Sequence, residues 1–575
     1  MKVLLLHPAD NLPRDRFAGW DLIVDFGRAP TSTYEDWSKQ TACPIISIYE
    51  FAKEIDDLRL CRNLLQLGFG RLIDAYGIDW WDVSSLSIVP DLVKLILVDR
   101  AAKYIDQPCE LYSTRPFSLA RALQTRLRCA LTIPQRPFQS LSRLLRHYSS
   151  VFAKLDGAQL SQVIEDKFDR YHAVRHRLTR RRSPLNSAAI LLPSAYVNVS
   201  RGAVRYAELL PDQQFLLVYA RRSGKLQSLP ANVFMTPLES YFESPANEEE
   251  DLFHRWQALR EELIHEEEIF EAADRAGMLE KVDSGLRWGL RLRDAWRNVL
   301  DREPILGCLS ADDTNPYTRI PLLLAKGRGI PTVACHHGAL DCWMILKNLT
   351  ADVYLAKNQI ECDYLNRTCH IAREKIVLGG PARPRQSQPA MTSRRTCMVF
   401  FTEPYEAGDW RSEEVYRDLL PRLCLLAENC GLKLVFKLHP FESIRGHRKK
   451  LRHILGPKER GIEVLAGPPN DELWQNVKFA LTVESSTALE CAARGIPVFL
   501  CGWLRDPHAG YAQQYARFGA GRLLESPNEI GDIPRLLGSE TRLPASVENS
   551  IDPTKFRELF SIHEIHDCLA AASNA

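Results

Sequence analysis

The sequence predicts an α/β fold with parallel sheets, divided into two or three domains. Short runs of leucine and β-branched residues alternate with longer stretches of helical periodicity, which is typical of parallel strands joined by crossover helices. At 575 residues the chain is also longer than one hydrophobic core normally serves. Its 45% hydrophobic and 25% charged residues are an ordinary composition for a globular enzyme.

Three consecutive segments are predicted. Residues 1–183 form an α/β region with a helical connection, 184–385 a Rossmann-like domain, and 386–575 a second Rossmann-like domain. The first boundary follows a basic string at 175–182, and the second falls in a linker block at 379–395 that is rich in glycine, proline and arginine. The sequence therefore predicts two doubly wound domains preceded by an extra N-terminal α/β region.

Each segment has its own strand candidates. The first has apolar runs at 3–6, 22–26 and 44–48, followed by helical spacing at 58–76 and at 90–105. The second has runs at 188–192, 215–219, 305–309, 332–335 and 353–355, and a charged helical stretch at 247–302. The third has the most regular rhythm, with runs at 397–401, 433–437, 462–465, 479–483, 497–501 and 521–524. Six short runs separated by helices or turns indicate a doubly wound sheet.

The charge balance argues against nucleic acid as a partner. Lysine and arginine number 74 and aspartate and glutamate 72, so the formal net charge is +2. A chain this close to neutrality has no global field that would attract a polyanion, and an anionic ligand needs a local site.

The cysteines and the N-terminus indicate a reducing compartment. None of the fifteen cysteines falls in a C-x-x-C pair or a zinc-ligand spacing, and Cys308, Cys335 and Cys501 sit singly inside apolar runs. The apolar run at 3–6 is too short for a signal peptide, and no stretch approaches the roughly 18 apolar residues of a membrane span. We expect a cytoplasmic protein whose membrane contact, if any, is peripheral.

Polar residues follow the strand at 433–437, and ligands of parallel sheets bind beyond the carboxyl ends of the strands. Lys437, Leu438, His439 and Pro440 stand at this edge. The histidine can donate to a phosphate or protonate a departing phosphate oxygen, and the proline stiffens the turn. An ordinary turn histidine is the alternative interpretation.

A second group of polar residues follows the strand at 479–483. Glu484, Ser485 and Ser486 lead into Thr487 and Glu490, which have the T-x-x-E spacing of a capping box, and Gly495 is the predicted helix stop. A helix N-terminus lined by three hydroxyl residues is suited to binding an anion. Plain helix capping is the alternative, although it needs only one of the three hydroxyls.

A third group lies in the middle of the chain. His336, His337 and Gly338 follow the strand at 332–335, and the glycine would let backbone approach a ligand. Because neighbouring side chains on a strand point to opposite faces, the two histidines are not expected to share a metal ion. Asp312 and Asp313 follow another strand and could bind a divalent ion or cap the next helix. Metal binding is the minor interpretation, and we expect a site without metal.

These motifs resemble those of a bacterial group of GT-B glycosyltransferases that use CMP-activated or related sugars. The group includes capsule polysialyltransferases, lipooligosaccharide sialyltransferases and capsule Kdo transferases. The matching residues are His439–Pro440, Ser485–Ser486–Thr487 and His337–Gly338, and the resemblance covers residues 305–525. It implies two Rossmann-like domains facing a cleft, with the first two motifs on the nucleotide phosphate. The acidic D/E-D-G motif that supplies the base in polysialyltransferases is absent, so the base is open among several residues.

The resemblance implies a metal-independent glycosyltransferase without a cofactor. It would move a sugar from a nucleotide-activated donor, with a CMP-sugar favoured, to a saccharide or glycoconjugate acceptor in surface polysaccharide synthesis. A sugar-nucleotide 2-epimerase and a non-catalytic GT-B assembly module are the alternatives. The predicted catalytic residues are His439, His337, His336, Asp312 and Glu403, the last at another strand end. The predicted nucleotide-binding residues are Lys437, Pro440, Glu484, Ser485, Ser486, Thr487, Gly338 and Glu490.

Overall fold

The computed structural model describes residues 1–10, 19–41, 43–133, 183–221, 224–243, 249–338, 350–381, 395–440, 442–505, 511–537 and 550–561. The described residues of Met1–Asp57, Val93–Ala158 and Ser387–Ala545 form one compact unit, and those of Leu58–Leu92, Gln159–Gln386 and Ser546–Ala575 form a second. The predicted basic string at 175–182 and most of the predicted linker at 379–395 lie outside the described residues. The three-segment division therefore stays a prediction.

The N-terminal sheet belongs to the first unit and has five parallel strands. They are β1 (Lys2–Leu6), β2 (Leu22–Asp25), β3 (Ile45–Ser47), β4 (Glu110–Ser113) and β5 (Ala130–Thr132), in the order β3-β2-β1-β4-β5. The helices between residues 1 and 133 are α1 (Thr31–Thr41), α2 (Glu54–Gln66), α3 (Trp80–Ile105) and α4 (Ser118–Leu127). Most of α2 and the first half of α3 belong to the second unit. The predicted extra α/β region is thereby confirmed.

The second unit contains a sheet of seven parallel strands. They are β6 (Ala189–Ser194), β7 (Gln214–Tyr219), β8 (Val233–Pro237), β9 (Ile305–Ser310), β10 (Thr332–Ala334), β11 (Val353–Ala356) and β12 (Ile376–Leu378), in the order β12-β11-β10-β9-β6-β7-β8. Its helices are α5 (Val197–Ala207), α6 (Glu249–Glu266), α7 (Glu268–Arg275), α8 (Glu280–Arg302), α9 (Pro316–Gly327) and α10 (Gln359–Arg367).

The C-terminal sheet belongs to the first unit and has six parallel strands. They are β13 (Cys397–Phe401), β14 (Lys433–Lys437), β15 (Glu463–Leu465), β16 (Val477–Thr482), β17 (Val498–Cys501) and β18 (Arg522–Leu524), in the order β15-β14-β13-β16-β17-β18. Six helices accompany them: α11 (Ser412–Cys430), α12 (Ile444–Leu455), α13 (Asp471–Asn476), α14 (Thr487–Ala493), α15 (Tyr511–Arg517) and α16 (Ile533–Leu536). A final helix, α17 (Pro553–Glu558), belongs to the second unit.

All three sheets are wound in the same way. In each, the first strand lies between the second and the fourth of its series, so the winding direction reverses between β1 and β4, between β6 and β9, and between β13 and β16. This is the doubly wound order of Rossmann-like sheets, whose ligands bind beyond the carboxyl ends of the strands at the reversal. The predicted α/β class and the predicted doubly wound sheets are confirmed.

The central strands are buried on both faces, which explains why they read as continuous apolar runs. Every residue of β6 and of β13 is buried. Parallel sheets covered by helices on both sides need such strands, whereas a half-exposed sheet would show alternating polar residues. The same pattern allowed these strands to be predicted.

Two helical predictions need correction. The helical spacing predicted at 58–76 continues only to Gln66, where α2 ends, whereas the charged stretch at 247–302 is helical as predicted, in α6, α7 and α8. The helix predicted to begin at Pro90 begins at Trp80, so that the proline lies inside α3. Interior proline destabilises a helix by about 3 kcal/mol. Here its neighbours Ile88, Val89 and Leu92 are all buried, and their packing keeps the helix continuous.

One pair of cysteines departs from the predicted pattern of single buried thiols. Cys308, Cys335 and Cys501 are buried thiols, as expected. Cys109 and Cys129, which directly precede β4 and β5, have their Sγ atoms 3.9 Å apart.

In the described part of the chain, no helix combines the length and the apolar character needed to cross a bilayer.

The carboxyl edge of the N-terminal sheet is filled by an arginine from the C-terminal sheet's half of the first unit. Arg411, which precedes α11, is 7% exposed and donates to both carboxylate oxygens of Asp25, at 2.8 and 2.6 Å. The same guanidinium donates to the backbone carbonyls of His7, Pro8 and Asp10. This arginine closes the ends of β1 and β2, so the edge of this sheet is a structural joint.

Candidate functional site

The predicted nucleotide-binding residues of the first unit gather at one edge of the C-terminal sheet. Strands β14, β13 and β16 are neighbours in that order, and all run parallel. The segments that follow Lys437, Phe401 and Thr482 therefore leave the sheet side by side. We call this group, made of Lys437, Thr402, Glu403, His439, Glu442, Ser485 and Ser486, the lysine–histidine edge.

Lys437 is a buried cation at this edge. The residue is 5% exposed, and its Nζ donates to the backbone carbonyl of Leu438 at 3.3 Å. Among the described residues no carboxylate lies within ion-pair distance of this ammonium group, and burial lowers the pKa of Lys437. A buried charge without an opposite charge is strongly unfavourable, so this edge is suited to receive an anion.

The His439 turn is held by two residues that the sequence did not predict. The backbone N–H of His439 donates to Thr402 Oγ1 at 3.1 Å and to Glu442 Oε2 at 3.1 Å. The Thr402 hydroxyl also donates to Glu442. The predicted stiffening residue Pro440 is exposed. The turn is therefore fixed by Thr402 and Glu442, and the H-P-x-E spacing was the one available sequence signal.

The imidazole of His439 is neutral at physiological pH. Burial, and then the charge of Lys437, lower the pKa of His439 to about 4. A neutral imidazole donates one hydrogen bond but has no extra proton to transfer. A phosphate placed beside it would raise its pKa, because an opposite charge favours the protonated form. Without an anion, the predicted role as hydrogen-bond donor fits this residue better than the role as acid.

Glu403 holds the start of the serine segment. It accepts a hydrogen bond from the backbone N–H of Glu484 at 2.6 Å and another from the Thr482 hydroxyl at 3.3 Å. Burial raises the pKa of Glu403, and these hydrogen bonds oppose that rise. The contacts favour a positioning role for this carboxylate, and its predicted catalytic role stays a prediction.

The helix after the serine segment begins differently from the prediction. The expected capping box between Thr487 and Glu490 is wrong, because Thr487 is already the first helical residue of α14. Ser485 Oγ accepts from the Thr487 hydroxyl at 2.9 Å and from its N–H at 3.4 Å. Glu490 is exposed and lies 3.9 Å from Arg494. Gly495, with φ at +62°, follows the end of the helix as predicted.

Ser486 differs from its neighbours in having an uncommitted hydroxyl. It precedes α14 with helical backbone angles, and its side chain makes no capping hydrogen bond. It is half-buried, and within the described residues its hydroxyl has no hydrogen-bond partner. Of the three hydroxyl residues, Ser486 is therefore the one placed to contact a ligand.

The two histidines belong to the second unit and lie side by side. The rings of His336 and His337 are stacked, with centroids 5.6 Å apart and planes 21° from parallel. The expectation that they point to opposite faces is wrong, because β10 ends at Ala334 and strand alternation does not extend to them. His337 is half-buried and its ring edge meets Tyr196. Burial lowers the pKa of His337, and Asp312 opposes that effect.

Asp312 is engaged in holding the loop before α9. Its carboxylate accepts from the N–H and the hydroxyl of Thr314 at 2.8 and 2.6 Å, from the Asn315 amide at 2.7 Å and from the Tyr196 hydroxyl at 3.0 Å. The predicted alternative, capping of the next helix, is wrong for Asp312, because Asn315 is the N-cap residue of α9. The contacts favour a role in holding the loop over that of a free catalytic base. Gly338 contributes its carbonyl to a 2.9 Å hydrogen bond from Lys357.

Three buried side chains of the second unit have metal-ligand character. Asp312, Asp313 and His336 each offer one donor atom, and these atoms lie within 4.8 Å of one another. A divalent ion there would compete with the hydrogen bonds that already occupy both Asp312 oxygens. Asp313 accepts from the Thr350 hydroxyl at 3.1 Å. The predicted absence of a metal requirement stays a prediction.

Comparisons with known proteins returned no family model and no curated protein that matches the sequence. Solved structures with similar folds include UDP-GlcNAc 2-epimerase from Methanocaldococcus jannaschii, 12% identical over 65% of this chain and 98% of its own, with a TM-score of 0.41. S. aureus MnaA with UDP is 12% identical over 67% of this chain and 98% of its own, with a TM-score of 0.38. The wall teichoic acid polymerase TagF, in a variant soaked with CDPG, is 12% identical over 76% and 99%, with a TM-score of 0.38. The function is therefore inferred from the chain's own residues.

Proposed function

We propose that this chain is a glycosyltransferase of the GT-B type, which moves a sugar from a nucleotide-activated donor to a saccharide or glycoconjugate acceptor in surface polysaccharide synthesis. The observation that carries the proposal is the buried ammonium of Lys437 at the carboxyl edge of β14. Within the described residues it has no carboxylate, and a donor phosphate would supply the missing negative charge. His439 and Ser486 stand at the same edge with groups that donate to phosphate oxygens.

The lysine–histidine edge would act on the leaving phosphate. When the bond between the sugar and the phosphate breaks, negative charge grows on the departing phosphate oxygen. Lys437, the imidazole N–H of His439 and the Ser486 hydroxyl would stabilise that charge, as fixed donors do in a site from which water is excluded. This electrostatic role removes the need for a divalent metal. A metal-independent reaction is therefore part of the proposal.

A CMP-sugar is the proposed donor. The support is the motif pattern, in which His439–Pro440 and Ser485–Ser486–Thr487 follow neighbouring strands of one sheet. A cytidine monophosphate sugar has a single phosphate, which Lys437 and Ser486 could contact together.

His337 is the proposed base for the acceptor hydroxyl. It is half-buried, and its lowered pKa keeps the imidazole neutral and ready to accept a proton at pH 7. His336 is 7% exposed, and Asp312 is saturated with hydrogen bonds. Both are therefore less suited to reach an acceptor.

The first experiment is a calorimetric titration of the full chain with CMP, CDP, UDP and GDP, with and without EDTA. CMP is expected to bind best and EDTA to change nothing. Lys437→Met should weaken binding at least tenfold, because the counter-charge for the phosphate is removed. Lys433→Met is the matched control: it lies on the same strand, is exposed, and pairs with Glu463 at 2.7 Å.

Turnover separates the candidate functions. The full chain is incubated with CMP-N-acetylneuraminic acid or UDP-N-acetylglucosamine, with and without saccharide acceptors, and nucleotide release is measured. Acceptor-dependent release supports the transferase. Conversion of the sugar without any acceptor would identify an epimerase, and nucleotide binding without turnover would identify an assembly module. Failure to bind any of the four nucleotides would remove the proposal.

A further inference from the structure

An exposed tryptophan and a tyrosine form an aromatic pair on the second unit. Trp288, on α8, is 40% exposed, and Tyr317, in the first turn of α9, is half-buried. Their ring centroids lie 6.3 Å apart at an angle of 68°, and Trp288 Nε1 donates to the Tyr317 hydroxyl at 3.2 Å. The hydrogen bond fixes the indole in place while leaving much of its surface open to solvent.

The packing of α8 does not require a tryptophan at this position. Elsewhere on the helix, Leu286, Leu290 and Trp296 are buried. Gly289 lies so close to Trp80 that an added Cβ would come within 2.3 Å of the ring. The core contacts of α8 are thus made by other residues. Tryptophan and tyrosine combine an apolar ring with an N–H or O–H group, and they are enriched at binding surfaces for that reason.

Two arginines contact the aromatic pair, and a third is next to Trp288 in the sequence. The guanidinium of Arg221 lies 4.7 Å from the centre of the Tyr317 ring and donates to its hydroxyl at 3.1 Å. The guanidinium of Arg291 lies 5.7 Å from the centre of the Trp288 ring. Arg287 precedes the tryptophan on the same helix, and its guanidinium lies 4.6 Å from the centre of the Phe253 ring. All three arginines are exposed. We call Arg221, Arg287, Trp288, Arg291 and Tyr317 the aromatic–arginine patch.

The positive charge of the patch is not neutralised by the protein. Within the described residues, none of its three arginines forms an ion pair with a carboxylate. Arg293 and Arg297 of the same helix do so, both with Asp294. The patch is therefore a local positive region on a chain whose net charge is only +2.

The chemistry of the patch fits sugars that carry acidic groups. The C–H face of a sugar ring is weakly positive and packs against the negative face of an aromatic ring. Arginine binds carboxylate and phosphate through two parallel N–H donors. A neutral glycan would leave the arginines unused, and an inorganic polyanion would leave the tryptophan unused.

The patch lies at the same edge of the seven-stranded sheet as the proposed base. Arg221 follows β7 and Tyr317 follows β9 and its loop, whose Asp312 contacts Tyr196, the ring neighbour of His337. We propose that the aromatic–arginine patch binds an acidic oligosaccharide, which serves as the acceptor chain. The role of this oligosaccharide as acceptor rests on the proposed transferase function, whereas its binding to the patch does not.

The test measures binding of three fluorescent probes to the full chain by anisotropy. They are hexagalacturonate as acidic sugar, maltohexaose as neutral sugar, and a six-nucleotide oligo-dT as another anionic chain with stackable rings. Hexagalacturonate is expected to bind best. Trp288→Ala and Arg291→Gln should each weaken its binding about tenfold, since each removes one of the two contact types. Stronger binding of oligo-dT would assign the patch to single-stranded nucleic acid instead.

Matched controls come from elsewhere on the surface. Tyr104→Ala removes an aromatic residue that is 59% exposed, and Arg275→Gln removes an exposed arginine paired with Glu271. Neither should change hexagalacturonate binding. Equal loss in the controls, or unchanged binding in Trp288→Ala and Arg291→Gln, would overturn the proposal.

CMP titrations on the same variants keep the two proposals apart. Retained CMP binding with lost hexagalacturonate binding supports the patch and leaves the transferase standing. Hexagalacturonate binding that depends on the patch, in a chain that binds no nucleotide, would keep the patch and remove only the transferase.

Discussion

Arg411 and Asp25 form a buried ion pair between positions 386 residues apart in the sequence, with both carboxylate oxygens engaged. The aspartate ends β2 of the N-terminal sheet, and the arginine precedes α11 of the C-terminal sheet's half of the same unit. The remaining guanidinium donors reach three backbone carbonyls of the segment after β1. Because all three nitrogens of the Arg411 guanidinium donate to Asp25 or to these carbonyls, the pair joins the two sheets of the first unit.

Removing one partner of the pair should destabilise the first unit strongly. Asp25→Ala leaves a buried guanidinium without its counter-charge, and such changes lower the free energy of unfolding by about 3–5 kcal/mol. Chemical denaturation of the full chain measures this loss. Glu413→Ala breaks an exposed pair with Arg417 and should lower that free energy by less than about 1 kcal/mol. A loss for Asp25→Ala no larger than that of Glu413→Ala would contradict the assignment of a structural joint.

Lys437→Met should stabilise the ligand-free protein while weakening nucleotide binding. Replacing a buried charge by an apolar side chain of similar shape is neutral or stabilising by about 1–4 kcal/mol. Denaturation without ligand is expected to show that gain, and calorimetry the loss of CMP affinity. Lys433→Met should show neither effect. A destabilised Lys437→Met variant would mean that the ammonium has a structural partner in the folded chain.

The sheets were predictable from the sequence because their strands are buried on both faces. β6 and β13 are apolar throughout, and a short apolar run between helical stretches indicates a strand without knowledge of its neighbours. The edge residues Lys437 and His439 were predictable for the same reason, since they follow a recognisable strand. The strand β12 (Ile376–Leu378), at the end of the seven-stranded sheet, was not predicted, although β10 (Thr332–Ala334) is equally short and was.

The contacts that organise the site were not predictable, because they join distant positions. Thr402 and Glu442, which hold the His439 turn, are 40 residues apart. The capping box at Thr487 was predicted wrongly because T-x-x-E spacing fits both a cap and a first helical residue, and Ser485 supplies the local hydrogen bonds instead. The grouping of the aromatic–arginine patch likewise depends on how β7, α8 and α9 pack.

Acid should destabilise the first unit through two buried histidines. Burial is the main cause that lowers the pKa of His439 to about 4 and that of His447 to about 3. An unfolded histidine has a pKa of about 6.5, so the unfolded state binds more protons between these values. Stability from these groups is therefore fully present above about pH 6.5 and is lost as pH falls through that window. Denaturation at several pH values measures the slope, which His439→Gln and His447→Gln should each reduce.

Nucleotide binding should distinguish the two histidines. A phosphate beside His439 raises the pKa of its imidazole, so binding takes up a proton and CMP affinity should rise as pH falls from 8 to 6. The phosphate titrates in the same range, so the informative quantity is the difference between the wild-type chain and each variant. His439→Gln should reduce the slope, and His447→Gln should leave it unchanged. Equal slopes in all three proteins would place His439 away from the phosphate.

His337→Ala should separate chemistry from donor binding. Removal of a general base lowers turnover by about 100-fold or more, because the acceptor hydroxyl must then lose its proton to water. Donor affinity should stay unchanged, since the lysine–histidine edge is intact. His453→Gln is the control, because this histidine is exposed and contacts Glu413 on the surface.

Asp312→Ala should act differently from His337→Ala. It releases the hydrogen bonds of Thr314, Asn315 and Tyr196, so it should lower thermal stability as well as turnover. If His337→Ala keeps full turnover and Asp312→Ala loses it without loss of stability, the base is Asp312 rather than His337.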